Sequence, residues 1–430
     1  MTRVPRPDDV PGLPARRAAL RLLDAVLRRG DPLELALHGA AQGLPAADRA
    51  LVHAIAAETL RHLADLDALI DGATRQPLPD DAKARMVLRI ALAQVLALGT
   101  APHAAIATAL PLVDGGPRKL VHGVFGTVTR NGPTLPDPPT LPQEVAARWA
   151  GQWGEAMPDA AAQAYGARPP VDVGLRDAAE TAIWAKRLGG TSFAPGHVRL
   201  AENAAIPELP GFAEGAWWVQ DIAASCPARL LGPGEGRAVL DLCAAPGGKT
   251  MQLAAAGWRV TAVDQSKKRL ERLRENLART TLSAQIAQGD VRTWSPDAPV
   301  DAVLLDAPCS ATGIYRRHPD VLHRIGSRQI AELAELQTEL LGRAADWVKP
   351  GGTMVYATCS LERAEGEEQI AAFLAKRPDF TPCPVRADEL PAGIVPTPDG
   401  WVRTLPDALA AQGGADGFFV ARLVRTATGA

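Results

Sequence analysis

The stretch that decides the fold is Asp241-Leu242-Cys243-Ala244-Ala245-Pro246-Gly247-Gly248-Lys249-Thr250. It closes the apolar run Ala238-Val239-Leu240 and leads directly into Met251-Gln252-Leu253-Ala254. An apolar strand, a glycine turn and a helix start, in that order, mark the place where α/β folds hold a nucleotide-like ligand. A phosphate-binding loop needs Gly-x-x-x-x-Gly-Lys-Ser/Thr. Gly248-Lys249-Thr250 supply its end, but Cys243 stands where the first glycine is required. The dinucleotide pattern Gly-x-Gly-x-x-Gly is absent after this strand, and Gly232, Gly234 and Gly236 lie before it, as a plain turn would. A third reading is a loop that lets its backbone approach a small adenosine cofactor. Asp264 supports it, because it ends the next strand-like run about 17 residues past Gly247, near the usual place of a ribose-binding acid. Asp264 also precedes Ser266 and a helical stretch, so an N-cap role is open beside the ribose role.

Outward from this loop the pattern alternates. Strand candidates at 238–242, 259–264, 284–288, 300–306 and 353–358 interleave with helices at 248–256, 266–279, 327–348 and 362–376, which predicts a parallel sheet. The apolar run 417–423 is expected as a late edge or hairpin strand. Residues 14–130 instead carry helical periodicity, as in Leu51, Ile55, Leu60 and Leu63. The nearly all-apolar run from Met86 to Leu98 is expected at the centre of that bundle. Residues 131–143 (NGPTLPDPPTLPQ) read as a proline-rich linker, 144–210 as a small mixed connecting subdomain, and 211–430 as the α/β domain.

Bulk properties narrow the setting. A chain of 430 residues should form two or three domains, and 47% hydrophobic residues can bury real cores. A formal net charge of −2 restricts any RNA-binding surface to a local patch. The five cysteines, at 226, 243, 309, 359 and 383, form no Cys-x-x-Cys pair, so no metal site is expected and a reducing compartment is. The N-terminal MTRVPRPDDVPG has no apolar signal core, and Arg89 interrupts the longest apolar run well short of the roughly 18 residues of a membrane span. A cytoplasmic chain with no membrane partner is expected.

Three loops follow strand ends on the ligand-binding edge of the expected sheet: Cys243 to Lys249, Asp306-Ala307-Pro308-Cys309-Ser310, and Thr358-Cys359-Ser360. A thiolate is a strong nucleophile, and two of them beside an adenosine cofactor suggest attack on an electron-poor ring such as cytosine. Thiolate addition at ring carbon 6 makes carbon 5 nucleophilic. Carbon 5 can then take a methyl group from a sulfonium donor, after which a base removes the carbon-5 proton. Cys359, Cys309 and Asp306 are the right types for nucleophile, base and acid, with either cysteine able to attack. Cys226, Cys383 and Cys243 are read as core packing.

DLCAAPGGKT, DAPCSATG (306–313) and YATCS (356–360), in this order, resemble the Sun-type (RsmB-like) family of RNA cytosine-5 methyltransferases; RRHPD (316–320) and DGFFVARL (416–423) also match its patterns. The likeness spans roughly residues 210–425. It implies a Rossmann-like class I methyltransferase domain that uses S-adenosylmethionine. It further implies Cys359 as nucleophile and Cys309 as the residue that assists release. Cofactor positions would be Cys243, Ala244, Ala245, Pro246, Gly247, Gly248, Lys249, Asp264, Asp290 and Asp306, although Asp290 also reads as a turn residue. The N-terminal part resembles a NusB-like all-α RNA-binding domain, through DRALVHAIAAETLRH (48–62) and APHAAIATALPLV (101–113). There the family often has Asn-Ala-Val-Leu-Arg; His122-Gly123-Val124-Phe125-Gly126 lacks that basic residue. The implied reaction is methyl transfer to carbon 5 of a cytosine in small-subunit (16S) ribosomal RNA by a monomer, through a covalent adduct. Transfer RNA is the nearest alternative substrate, and a non-catalytic assembly factor the alternative class. Arg316, Arg317 and His318 are the RNA candidates because they follow the catalytic loop. The run Lys267-Lys268-Arg269 reads as a solvated helix face.

Overall fold

The computed structural model describes residues 10–201 and 205–427, and most of the N-terminal segment examined for a signal core lies outside them. The chain divides into two compact units. One runs up to Ala167 and includes Tyr315–Gly326; the other comprises Arg168–Ile314 and the chain from Ser327 onward.

The first unit is all-helical, with helices Leu13–Arg29, Leu33–Ala40, Ala46–Arg61, Leu63–Gly72, Lys83–Leu96, Pro102–Ala109 and Gly116–Asn131, followed by Gln143–Trp153 and Met157–Gly166. Lys83–Leu96 is its centre, and every residue from Ala84 to Gln94 is buried. Being surrounded, this helix must neutralise its own cations. Arg89 does so with two 2.7 Å hydrogen bonds to the Asp67 carboxylate, and Arg85 donates to Asp71 at 2.6 Å. The cut between the units falls at Ala167, inside the stretch 144–210 expected as one subdomain. The reason is aromatic packing within the helical unit: the Trp149 and Tyr165 rings lie 5.4 and 5.8 Å from that of Tyr315. Among the described residues no helix is long and apolar enough to cross a membrane.

Among the described residues the second unit holds eleven strands: β1 Asp172–Leu175, β2 His197–Arg199, β3 Trp217–Val219, β4 Ala238–Leu242, β5 Arg259–Asp264, β6 Gln285–Gln288, β7 Val300–Asp306, β8 Val348–Thr358, β9 Phe380–Pro382, β10 Val402–Thr404 and β11 Phe418–Arg425. The first three form a small antiparallel sheet, order β2-β1-β3. The others form the main sheet, order β10-β11-β8-β7-β4-β5-β6, with β9 paired to β11. The pairings among β4 to β8 are all parallel. β11 is not an edge strand: it lies between β8 on one side and β10 and β9 on the other. Its burial explains this, because Phe418 to Leu423 are buried on both faces and an edge position would expose them. The strand order reverses between β4 and β7, which creates the crevice where doubly wound sheets bind ligands.

Candidate active site

The loop after β4 is shaped by backbone sterics. Cys243 sits in the left-handed region at φ 61°, and Gly247 at φ 107°. A Cβ on Gly247 would lie 2.9 Å from Leu273 Cγ, so only glycine fits there. The turn delivers Gly248 to the start of helix Gly248–Ala255, whose first N–H groups have no partner inside the helix. Buried Asp264, the last residue of β5, braces the loop: its carboxylate accepts from Ala245 N–H at 3.1 Å and from Ser266 N–H at 2.8 Å. The N-cap of helix Lys267–Thr280 is Ser266, whose Oγ accepts from Arg269 N–H, so capping does not fall to Asp264. Asp290, past β6, is a turn residue whose carbonyl accepts from Thr293 and Trp294 N–H. Its side chain pairs with Arg292 at 2.6 Å, and that hydrogen bond holds its pKa below the usual carboxylate value.

The expected cofactor residues fall into two groups. Cys243, Asp264 and Asp290 line a cleft of about 120 Å³, with Val291, Pro308, Leu336 and Leu340 as its apolar wall. Two carboxylates and an aliphatic wall suit an adenosine, whose hydroxyls and amine donate and whose ring packs. Ala244, Ala245, Pro246, Gly248, Lys249 and Asp306 line a second groove of about 430 Å³, together with Trp218 and Arg279. Gly247 lines neither and acts through its turn. Burial would lower the Lys249 ammonium, but Asp306, 2.8 Å from Nζ at the end of β7, and the nearby Cys359 outweigh it and raise its pKa.

The two loop cysteines meet. Cys309 Sγ, past β7, lies 3.4 Å from Cys359 Sγ, past β8. The hydrogen bond to Cys359, burial, and the charges of Cys359 and Glu365 all push the Cys309 thiol well above its ordinary pKa. By contrast Cys226 is packed in a core, where burial raises it to about 12.

Two buried acids that sequence reading passed over also bear on the site. Asp241 opens the decapeptide and is fully buried; one oxygen accepts from Thr250 Oγ1 at 2.5 Å and the other has no partner among the described residues. Burial, reinforced by the charge of Asp306, raises its pKa to about 7. Its signal was an acid inside an otherwise apolar strand. Glu365 is equally buried, in a 3₁₀ turn, and no local pattern points to it.

The RRHPD segment lies in the helical unit. Arg316 is only 2% exposed, and its carbonyl accepts from Arg61 at 3.2 Å. Asp320 is buried too, accepting from Leu33 N–H at 3.2 Å and Arg324 Nε at 2.9 Å. Arg317 and His318 are half-buried, and burial depresses the His318 pKa. Arg316 thus presents no guanidinium to a phosphate here, because the segment packs its first arginine inward.

A helical unit, and a sheet unit whose parallel strands end in a cleft lined by Asp264 and Asp290 and in two loops whose cysteines touch, fit a methyltransferase of the Rossmann-like class I type. Residues 228–424 match the family described as 16S rRNA methyltransferase RsmB/F, and residues 13–130 match the NusB family. The ribosomal RNA small subunit methyltransferase B of Klebsiella pneumoniae (strain 342) is 35% identical, over 95% of this chain and 98% of that protein. A crystal structure of the protein PH0851 covers 96% of this chain and 99% of its own at a TM-score of 0.73 and 24% identity, which shows the fold. A methyltransferase homolog from Pyrococcus horikoshii, 26% identical, covers 65% of this chain and 94% of its own at a TM-score of 0.55. The chain belongs to the ribosomal RNA small subunit methyltransferase B family. It is an S-adenosylmethionine-dependent RNA methyltransferase with an N-terminal NusB-like domain.

Proposed function

We propose that this chain methylates carbon 5 of a cytosine in small-subunit (16S) ribosomal RNA, through a covalent bond between Cys359 and carbon 6 of the ring. The 3.4 Å approach of Cys309 and Cys359 carries the reading. Relatives of full length that are named for the small-subunit ribosomal RNA support the substrate. S-adenosylmethionine supplies an electrophilic sulfonium methyl, and Cys243, Asp264 and Asp290 are the residues suited to hold its adenosine.

The chemistry follows from the pair. The raised Cys309 pKa keeps its proton on sulfur, so that its S–H can donate to Cys359 as Cys359 attacks in thiolate form. Cys359 adds to carbon 6. Negative charge then develops toward ring nitrogen 3, where Asp306 acts as acid by relaying a proton from the Lys249 ammonium in contact with it, and that proton returns by the same route when the carbon 5–carbon 6 double bond re-forms. Once Cys359 is bonded to carbon its charge is gone, and one of the causes that raised the Cys309 pKa goes with it. Cys309 then loses its proton to solvent and takes the carbon-5 proton of the methylated adduct, and the carbon 6–sulfur bond breaks with the electron pair returning to Cys359. The helical unit is assigned to holding the RNA, with half-buried Arg317 and His318 as contacts in preference to Arg316, and the chain is assigned to act as a monomer.

Cys309→Ala protein incubated with S-adenosylmethionine and ribosomal RNA is expected to accumulate a protein–RNA adduct that survives denaturation. An adduct in Cys359→Ala instead would reverse the roles. Bisulfite mapping of ribosomal and transfer RNA from cells lacking the protein names the target; an unmethylated cytosine found only in transfer RNA would overturn the ribosomal assignment.

A further inference from the structure

Both cysteine loops converge on one carboxylate. Glu365 is fully buried and receives four hydrogen bonds. Oε1 accepts from Ser310 N–H at 2.9 Å and Gln337 Nε2 at 2.9 Å. Oε2 accepts from Ser360 Oγ at 2.5 Å and from Ser310 Oγ. Ser310 follows Cys309 and Ser360 follows Cys359, so a single side chain ties the residue after each cysteine to the other. The Glu365 carbonyl extends the tie down the strand that delivers Cys359, accepting from Tyr356 Oη at 2.8 Å and Thr358 Oγ1 at 3.2 Å in β8. Thr312 closes the arrangement, with its Oγ1 3.2 Å from Ser310 Oγ, 3.3 Å from Ser360 Oγ and accepting from Leu361 N–H at 3.0 Å.

Such a site is costly. Burying a carboxyl group is tolerated only when hydrogen-bond partners surround it, and a packing role would be filled by an apolar residue without that cost. Four donors drawn from both cysteine loops and from helix Ser327–Asp346 satisfy it, and in return they fix the loops against each other. Two sulfurs carried on separate loops need such a fixed spacing, since a shift of about 1 Å in a reacting group costs on the order of a hundredfold in rate.

We propose that Glu365 is the positioning residue of this methyltransferase: it clamps the Cys309 and Cys359 loops through Ser310 and Ser360 and so sets the separation of the two sulfurs. It touches neither sulfur's reaction partner and acts through the loops. The proposal rests on the reading that Cys359 attacks and Cys309 assists release.

Three variants, measured with ribosomal RNA and S-adenosylmethionine, test it. Glu365→Ala should slow single-turnover transfer by about a hundredfold, at unchanged affinity for cofactor and RNA. Glu365→Gln should recover at least about tenfold over Glu365→Ala, because the serine hydroxyls can turn and accept from the new amide. Transfer by folded Glu365→Ala within about threefold of the parent overturns the clamp, as does a Glu365→Gln no faster than Glu365→Ala. Should Glu365→Ala not fold, Ser360→Ala decides, since it removes the Glu365 bond to the Cys359 loop together with the Ser360 contacts to Ser310 and Thr312 and leaves the Glu365 bonds to Ser310 and Gln337; about tenfold slower single-turnover transfer supports the clamp and an unchanged rate overturns it. Cys359→Ala is the control. If it still transfers methyl, the nucleophile assignment fails whatever Glu365 does; if it does not, and Glu365→Ala does, only the clamp fails.

Discussion

In the helical unit, buried charge is kept or surrendered for packing. Arg85 and Arg89 stay paired with Asp71 and Asp67, while burial lowers the His323 pKa to about 4, leaving a neutral ring on the Leu60 carbonyl. The sheet unit buries charge-balancing pairs too, such as Asp172 with Arg199, but it also gathers a second set near the ends of its parallel strands: Asp241 with its raised pKa, Lys249 on Asp306, Glu365 between two cysteine loops, and the cysteines themselves. The first set balances charge inside a bundle. The second leaves charge and proton transfer in reach of a cavity, because a parallel sheet ends its strands together on one edge. A perturbed group therefore carries a different meaning where it stands at the ends of the parallel strands than where a partner balances its charge, and that position separates the two better than the size of any shift.

That contrast can be broken first at the cysteines. Cys359→Ala should lower methyl transfer by roughly a thousandfold or more while the thermal midpoint stays within a degree or two. A large loss of stability instead would put Cys359 with the packing groups. Next, Arg316→Ala should behave as a helical-unit change, lowering the midpoint by several degrees through lost burial. Weakened RNA binding at an unchanged midpoint would return Arg316 to the RNA surface.

The smallest effects concern pH, and their signs oppose. Asp241 has a folded pKa of about 7, above its ordinary 3.8, so the native state holds the extra proton and this contribution to stability is lost as pH rises from about 4 to 7. His323 has a folded pKa of about 4, below its ordinary 6.5. There the unfolded chain holds the extra proton, and stability grows as pH rises from about 4 to 6.5. Melting curves across pH 4–8 should show Asp241→Asn gaining a few degrees at the alkaline end, and His323→Gln losing the acid-side rise. Identical slopes in parent and variants would show that neither group titrates with folding.

Much of this was readable beforehand, for physical reasons that also mark the limits. Strands 238–242, 259–264 and 300–306 were placed residue for residue, since buried parallel strands are continuous apolar runs. β8 begins at Val348, earlier than the expected 353, because Val348 pairs with Val300 across a register shift that Lys349-Pro350-Gly351-Gly352 conceals. The helix expected from 362 starts at Glu367, after the 3₁₀ turn that carries Glu365. The sheet β1–β3 has strands of three or four residues, too short to show a period. At the site, residues on strand-end loops were legible as motifs. Glu365 was not, because a clamp between loops far apart in sequence exists only after the sheet has formed. RRHPD was legible as a motif but not as a location, since nothing local says which unit will enclose Arg316.

The helical unit is built from two separate pieces of chain, and that sets an order of events during synthesis. Tyr315, Arg316 and Asp320 pack within it, yet they emerge only after β1 to β7 have been made. A ribosome that has released the first 167 residues has therefore released a bundle with an unfilled place around Trp149 and Tyr165. The growing chain completes its first domain only after most of its second has left the tunnel.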